Sequence, residues 1–343
     1  MTDIPGTALT LGDDQRGAYI LRTSALTNEQ GHGKGFRMTE PSAPVRLASA
    51  GNERGLRCRH LCLSASENSS SVEVRLFSRK KTDTLTLWAK KDDARELLSL
   101  HITPAQSRNP EYAALRAAAI SATQLFAQRA ALEMDINPEE LETLEPSYAA
   151  SIPALQLADQ LTNGAGYCQR LAERQGQDPL AVRLLRSMLQ SDTQDDPLLT
   201  PIASEKHRQQ CHSSCYECIR RYGNRMLHGL LDWRLGVAWL RFLMEPKAVF
   251  GLDGNWMTFE MTDWQQQTQR LRDALCNIQP DNFTHCSVSL EHTGIIVPGI
   301  ARKTQCDTVA LLHPFWNVKL LLPHGVKGLN TFEALRRPLK IMA

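Results

Sequence analysis

Residues 71–89 alternate apolar and polar side chains on both sides of a Lys-Lys-Thr-Asp turn. Val74 and Leu76 recur at every second position before the turn, and Leu85 and Leu87 do so after it. Because successive side chains of a strand point to opposite faces of a sheet, this period of two is typical of strands with one buried face. The pattern predicts two strands that are joined as a hairpin.

Longer segments repeat apolar residues every three or four positions, which is the period of a helix that buries one side. The strongest is residues 111–134, which follows Pro110 and is rich in alanine. Asn137 and Pro138 have the identities preferred at the N-cap and at the first position of a helical turn. The other elements predicted in this half are a strand at residues 152–158, ending in Asp159, and helices at residues 168–175 and 179–190.

In the second half, residues 219–243 have helical spacing throughout and predict one continuous helix. The elements predicted after it are a polar helix at 265–276, strands at 283–290, 294–300 and 307–313, and a short helix at 332–337. Helices mixed with separate groups of strands predict an α+β protein. We expect three regions: a loop-rich N-terminal region with some β-structure (1–70), a helical central domain (71–244) and a small αβ C-terminal domain (245–343).

The composition is that of a soluble globular protein, with 42% hydrophobic and 22% charged residues in a chain of 343. No apolar segment typical of a signal peptide stands at the N-terminus. The most apolar window, residues 227–244, contains Asp232, Arg234 and Arg241, so we do not expect it to span a membrane. Nine cysteines without a secretory signal predict a reducing, cytoplasmic location, where thiols remain available to bind metal.

Three cysteines lie within eight residues, and a histidine precedes the first by four; these are His207, Cys211, Cys215 and Cys218. A Cys-x2-Cys pair on a tight turn directs two sulfurs to one point, a third cysteine can close on it, and a histidine supplies the fourth corner of a tetrahedron. Thiolate and imidazole ligands suit Zn²⁺. We therefore expect a structural zinc ion with no open coordination position. The alternative fourth ligands are His212, His228 and Cys168.

Positive charge is concentrated around these cysteines. Residues 201–241 contain seven Lys or Arg and three Asp or Glu, so the segment carries +4 while the whole chain carries +2. The planar guanidinium group can donate two parallel hydrogen bonds to a phosphate. The candidate nucleic-acid-binding residues are Lys206, Arg208, Arg220, Arg221 and Arg225. Arginine clusters also pair with carboxylates of the same protein, and the sequence does not decide between these two roles.

Three other motifs are weaker. The GHGKGF sequence at residues 31–36 lacks the GxxxxGK[ST] pattern of a phosphate loop, so we expect no ATP hydrolysis on this chain. Cys58, His60 and Cys62 offer three ligands only and favour a small core strand over a second metal site. The glycine turn at residues 163–167 could leave a helix N-terminus open to a DNA phosphate, but close packing of strand against helix is the preferred interpretation.

A metal-dependent nuclease is an alternative function for the C-terminal domain. Such a site needs carboxylates and a lysine on adjacent strands, so that Mg²⁺ and an attacking water can meet. Asp307, Glu291 and Lys303 are the candidates, and the Glu-x-Lys spacing is missing. We therefore predict no catalytic residues and a protein that is not an enzyme. A pure protein-interaction scaffold is the other alternative.

The segment around the cysteines resembles the MrfA-type zinc-binding (MZB) domain family. The residues that carry the resemblance are Cys211-His-Ser-Ser-Cys215-Tyr-Glu-Cys218-Ile-Arg-Arg-Tyr222-Gly-Asn224, followed by His228 and Leu231-Asp232-Trp233-Arg234. Thr82-Asp83-Thr84-Leu85 and the glycine turn after Asp159 are similar to upstream segments of the family. The resemblance covers about residues 71–244, roughly half of the chain.

This resemblance implies a zinc-binding module of a DEAD/DEAH-box helicase system that acts on DNA. In the family the module is the C-terminal domain of the helicase or lies on a separate partner, including the B subunit of the DISARM phage-defence system. The implied partners are a DEAD/DEAH-box helicase subunit and the DNA backbone, in phage defence or DNA repair. Many members bind the metal with four cysteines, whereas this chain has three in the cluster and lacks the motor motifs.

Overall fold

The computed structural model describes residues 59–64, 72–78, 83–89, 113–147, 154–161, 164–176, 178–190, 196–245, 248–303, 307–316 and 321–338. The motif at residues 31–36 and Cys58 lie outside the described residues, as does nearly all of the predicted N-terminal region, residues 1–70. The described residues form two compact units. One contains those up to residue 89 and from 122 to 200; the other contains 113–121 and 201–338.

The first unit contains a five-stranded antiparallel sheet with the strand order β1-β2-β3-β5-β4. The strands are β1 (Arg59–Ser64), β2 (Val72–Ser78), β3 (Thr84–Ala89), β4 (Leu141–Ser147) and β5 (Ala154–Asp159). The predicted hairpin is confirmed, with Val74 opposite Leu87 and Leu76 opposite Leu85. All four side chains are buried because the period of two places them on one face.

The predicted helices of this half are confirmed within a few residues. They are α1 (Ala113–Met134), of which residues from 122 onward belong to the first unit, α2 (Tyr167–Ala172) and α3 (Leu180–Leu189). Asn137 caps a 3-10 turn, Pro138–Glu140, with its side chain, as predicted. Residues 117–131 of α1 are buried around the whole helix and not along one stripe. Its alanines permit this close packing on all sides.

The second unit carries the cysteine cluster and a four-stranded sheet. Its helices are α4 (Leu199–Ala203, from residue 201), α5 (Glu205–Gln210), α6 (Trp233–Met244), α7 (Trp264–Ile278) and α8 (Thr331–Arg336). Two short strands of the first unit, β6 (Arg174–Gln175) and β7 (Asp178–Pro179), come before them in the chain. The four strands of this sheet are β8 (Phe283–Ser289), β9 (Ile296–Arg302), β10 (Thr308–Leu312) and β11 (Val326–Asn330). β8, β9 and β10 pair antiparallel, and β11 pairs in parallel with β10. α7 and α8 pack against this sheet through Leu275, Cys276, Ile300, Leu311 and Ala334.

The prediction of one helix over residues 219–243 is wrong. A 3-10 helix, Tyr222–Leu227, comes first, and α6 begins only at Trp233. Asp232 has an extended backbone and caps α6, because its side chain accepts hydrogen bonds from the amides of Arg234 and Leu235 at 3.2 and 3.3 Å. The metal cluster therefore precedes a loop and does not cap a long helix.

These elements make the chain an α+β protein, as predicted, while the limits of the three predicted domains stay predictions. Among the described residues, no helix combines the length and the apolarity that crossing a bilayer requires.

Candidate metal centre

α5 places the first two candidate ligands on one side of a single helical turn. Ser204 caps the helix by accepting a hydrogen bond from the His207 amide at 3.3 Å. The helix ends at Gln210, and Cys211 follows as its C-cap, with its amide donating to the carbonyl of His207 at 2.8 Å. Because residues four apart on a helix face the same direction, the His207 and Cys211 side chains project together.

A tight turn brings the other two cysteines to the same place. The Cys215 carbonyl accepts hydrogen bonds from the amides of Cys218 and Arg220, at 3.2 and 3.0 Å. The Cys215 amide in turn lies 3.1 Å from the Cys218 sulfur. An amide donor directed at a sulfur stabilises its thiolate form, which is the form that binds a metal.

The four donor atoms of His207, Cys211, Cys215 and Cys218 all lie within 4.8 Å of one another. The Cys218 Sγ atom is 3.8 Å from that of Cys211 and 3.7 Å from that of Cys215. Zn–S bonds of about 2.3 Å in a tetrahedron set the sulfurs about 3.8 Å apart, whereas a disulfide needs about 2.05 Å. The cysteines are free, and their spacing fits the edges of a metal tetrahedron.

The orientation of the His207 ring fits the same role. Its Nδ1 atom lies 2.6 Å from the Ile202 carbonyl oxygen, which can only accept, so Nδ1 carries the proton. In the neutral ring the Nε2 atom then has a free lone pair, and it lies 3.2 Å from the Cys215 sulfur. A carbonyl that holds the distal nitrogen in this way is the usual second partner of a histidine ligand.

Burial makes the site a closed one. His207, Cys211 and Cys218 are 6%, 3% and 1% exposed, and Cys215 is half-buried. Four protein ligands complete a tetrahedron and leave no position for a reacting water. The arrangement therefore suits a metal ion that holds the loop together and does not suit hydrolysis at the metal.

The three thiols differ in how readily they lose a proton. The Cys211 thiol donates a hydrogen bond to Cys218, and together with backbone amides it lowers the Cys218 pKa from 9.0 to about 5. The same hydrogen bond, followed by burial, raises the pKa of Cys211. Burial and then the Cys218 charge raise the pKa of Cys215. The directions of these pKa shifts favour Cys218 as the sulfur that carries the negative charge when no metal is bound.

Metal binding should therefore release protons from Cys211 and Cys215. We expect about two protons per ion at pH 7, and an apparent affinity that rises about 100-fold per pH unit between pH 6 and 8. Calorimetric titration in buffers of different ionisation enthalpy measures the number directly. Release of fewer than one proton would contradict the assignment of both cysteines as ligands.

Two of the three predicted alternatives for the fourth ligand have other hydrogen-bond partners, and the third is exposed. The Nε2 atom of His228 lies 3.0 Å from both the Arg221 carbonyl and the Asn224 side-chain oxygen. The Cys168 thiol donates to the carbonyl of Leu157 at 3.6 Å. His212 is exposed. His207 is the histidine that the structure brings to the three cysteines.

Two neighbours of the cluster were missed as site residues, although both belong to the segment that carries the family resemblance. Arg234 donates to the carbonyls of Cys211 and His212 at 3.2 and 3.3 Å. The Trp233 amide donates to Ser213 at 2.8 Å, and its ring lies 5.9 Å from that of His207. We call residues 211–231 the ligand loop; these contacts attach it to the start of α6, so this helix holds the candidate ligands in place.

The five candidate nucleic-acid-binding residues occupy different environments, and their role stays a prediction. Arg208 forms an ion pair with Asp263 at 3.2 Å, so a carboxylate of the protein already neutralises it. Arg220 donates to the Ser214 hydroxyl at 2.9 Å. Arg221 is half-buried, whereas Arg225 and Lys206 are exposed.

The glycine turn considered for a phosphate already holds an anion of the protein. Asp159 is fully buried, and its two carboxylate oxygens accept hydrogen bonds from the amides of Ala165, Gly166 and Cys168 at 3.0, 2.8 and 2.9 Å. Asn163 lies outside the described residues. The close packing of strand and helix that the sequence favoured is what the structure has.

The three nuclease candidates lie at opposite ends of a strand. Glu291 is in the turn before β9, whereas Lys303 and Asp307 follow it. Because β9 has seven residues, about 20 Å separates the two ends. Lys303 donates to the carbonyl of Pro280 at 2.9 Å, and Asp307 binds Lys327 at 2.6 Å. They form no shared metal site.

Fold and site together define an α+β protein in which one histidine and three cysteines form a cluster that could hold a metal ion. No protein-family model and no curated protein matches the chain. A solved structure that it resembles is the crystal structure of the DUF1998 helicase MrfA bound to DNA, at 9% identity and a TM-score of 0.29. The match covers 55% of this chain and 25% of that one, so the chain spans about a quarter of the helicase. The likeness is distant and partial.

Proposed function

We propose that this chain is a zinc-binding accessory module of a DEAD/DEAH-box helicase system that acts on DNA, in phage defence or DNA repair. In this proposal His207, Cys211, Cys215 and Cys218 hold one structural Zn²⁺, and the chain is not itself an enzyme. The ion replaces an apolar core in a segment that has little of its own. Arg220, Arg221 and Arg225, with Lys206, then face the DNA backbone or the motor subunit.

The convergence of four buried or half-buried donor atoms within 4.8 Å is the observation that supports this proposal most. Thiolates and a neutral imidazole at tetrahedral spacing match zinc better than the oxygen-seeking Mg²⁺ or Ca²⁺. The loop that this cluster organises has three arginines between Cys218 and Leu231 and no Asp or Glu. A surface of this charge attracts phosphate without reading base sequence.

Elemental analysis of the purified chain tests whether it binds zinc. We expect about one zinc per chain, retained through dialysis, because four protein ligands hold it. Partnership is tested by co-expression with a DEAD/DEAH-box helicase encoded beside it, followed by purification through a tag on this chain. Soluble protein without zinc would refute the zinc site. A helicase that never co-purifies, and whose unwinding does not respond to this chain, would refute the partnership.

Contact with the DNA backbone predicts that the affinity for DNA falls in a defined way as salt is raised. Arg225→Ala should weaken DNA binding several-fold for every sequence, and it should reduce the slope of log affinity against log salt by about 0.9. Fluorescence anisotropy on duplexes of unrelated sequence measures both. Arg270→Ala is the matched control, since Arg270 is also exposed in the second unit and lies outside the ligand loop. Equal effects of the two variants would mean that only net charge matters.

A further inference from the structure

The ligand loop exposes large side chains that a folded protein usually covers. Tyr216, Tyr222 and Met226 are 63%, 75% and 88% exposed. Single exposed apolar residues are common, but several together mark a binding surface. Here they occur within eleven residues, interleaved with arginines.

Two arginines of this segment each contact one of the tyrosines. Arg225 donates to the Tyr222 hydroxyl at 2.6 Å, and its guanidinium carbon lies 4.8 Å from the centre of that ring. Arg221 donates to the Tyr216 carbonyl at 3.3 Å. We call Tyr216, Arg221, Tyr222, Arg225 and Met226 the tyrosine–arginine patch.

The backbone beneath the patch is held in place. Asn224 is buried; its side chain donates to the Ile219 carbonyl at 2.9 Å and accepts from the Arg221 amide at 2.8 Å. The Tyr216 ring meets His228 edge-on at 5.6 Å, and His228 contacts the Arg221 carbonyl. Rings presented from a fixed loop lose little entropy when they bind.

The side chains of the patch indicate which class of ligand it can bind. Tyrosine rings and methionine offer flat or polarisable apolar surface, and the neighbouring guanidinium groups offer charge for phosphates. Single-stranded nucleic acid presents both partners at once, because its bases are not enclosed in a stack of pairs. A duplex hides its base faces and would engage the arginines alone.

We propose that the tyrosine–arginine patch binds single-stranded nucleic acid. Bases stack on Tyr222 and against Tyr216 or Met226, while Arg221 and Arg225 contact the phosphates between them. This inference rests on the proposed function and names its substrate: the separated strand, and not the duplex.

Fluorescence anisotropy with the zinc-loaded chain of 343 residues tests the inference. The probes are an oligothymidine of about 20 nucleotides and a duplex of the same length. At about 50 mM salt, we expect the single strand to bind about 10-fold more tightly than the duplex. Tyr222→Ala should lose about 10-fold on the single strand and little on the duplex, because only the strand stacks on the ring. Tyr222→Phe keeps the ring and should bind like the parent.

An oligonucleotide with abasic sites separates stacking from charge. It keeps every phosphate, so the parent protein should bind it about 10-fold more weakly than oligothymidine, and Tyr222→Ala should show no further loss. Met226→Ala is compared with Met257→Ala, a methionine that is 84% exposed elsewhere in the same unit. Only the first substitution should weaken binding of the single strand. Unchanged zinc content and thermal unfolding show that the variants are folded.

The outcomes separate the two proposals. Equal affinity for strand and duplex, with no loss in Tyr222→Ala but a loss in Arg225→Ala, overturns the stacking inference and leaves backbone binding intact. No binding of either form at low salt overturns this inference and the proposed contact with the DNA backbone, while the zinc site and the helicase partnership keep their own tests. In that case, loss of helicase co-purification in Tyr222→Ala would identify the patch as a protein-docking surface.

Discussion

Cys218→Ser should yield a protein that has lost its zinc and whose second unit melts far below that of the parent. Cys218 is 1% exposed and its sulfur lies within 3.8 Å of the other two cysteine sulfurs, so a water has little room to replace it as a ligand. The binding energy of a structural zinc is folding energy, because the site does not exist in the unfolded chain. We expect a loss of about 5 kcal/mol or more, or about 10–20 °C in the melting temperature, measured by scanning calorimetry alongside zinc content.

Cys286→Ser is the matched control for this experiment. Cys286 is a free cysteine of the same unit on β8, outside the cluster, and its substitution makes the same chemical change. It should keep about one zinc and shift the melting temperature by only a few degrees. Chelation of the parent protein should reproduce the Cys218→Ser melting curve. If Cys218→Ser melts like the parent, apolar packing and not a metal holds the segment together.

Local signals explain most of what could be predicted. Val74 and Leu87 face each other across β2 and β3, and the sequence of each strand shows this by itself because its apolar residues occur at every second position. His207 and Cys211 converge because they are one helical turn apart, which the spacing alone shows. The cluster was predictable for the same reason: its four residues span twelve positions.

What could not be predicted depends on residues outside the element concerned. β4 carries Glu142, Glu145 and Pro146 in seven residues, and its pairing with β5 rather than its own composition makes it a strand. Met226 fits the helical spacing of residues 219–243 yet is 88% exposed, because Asp232 starts a new helix. The carboxylate that fills the glycine turn also comes from the end of another element.

Asp159→Ala should be among the most destabilising single substitutions in the first unit. The carboxylate accepts three amide hydrogen bonds at a fully buried position, and alanine leaves the Ala165, Gly166 and Cys168 amides without that partner. A buried amide left unpaired costs about 1–3 kcal/mol, which applies in full to Cys168, whereas the part-buried amides of Ala165 and Gly166 cost less, so we expect a total near 4 kcal/mol. Asp159→Asn retains the shape and one acceptor oxygen, and should lose about half as much. Urea unfolding followed by circular dichroism measures both values.

The same variants decide what the glycine turn is for. If Asp159 is the anion of this turn, a DNA phosphate has no place there, and DNA affinity should be the same for Asp159→Asn and the parent. Asp281→Asn, at an exposed aspartate in the turn before β8, controls for the lost charge and should change stability by less than about 0.5 kcal/mol. Unchanged stability together with tighter DNA binding in Asp159→Asn would instead show that the carboxylate had been excluding a phosphate. That result would assign the turn a phosphate-binding role, whereas the three amide hydrogen bonds to Asp159 argue for a purely structural one.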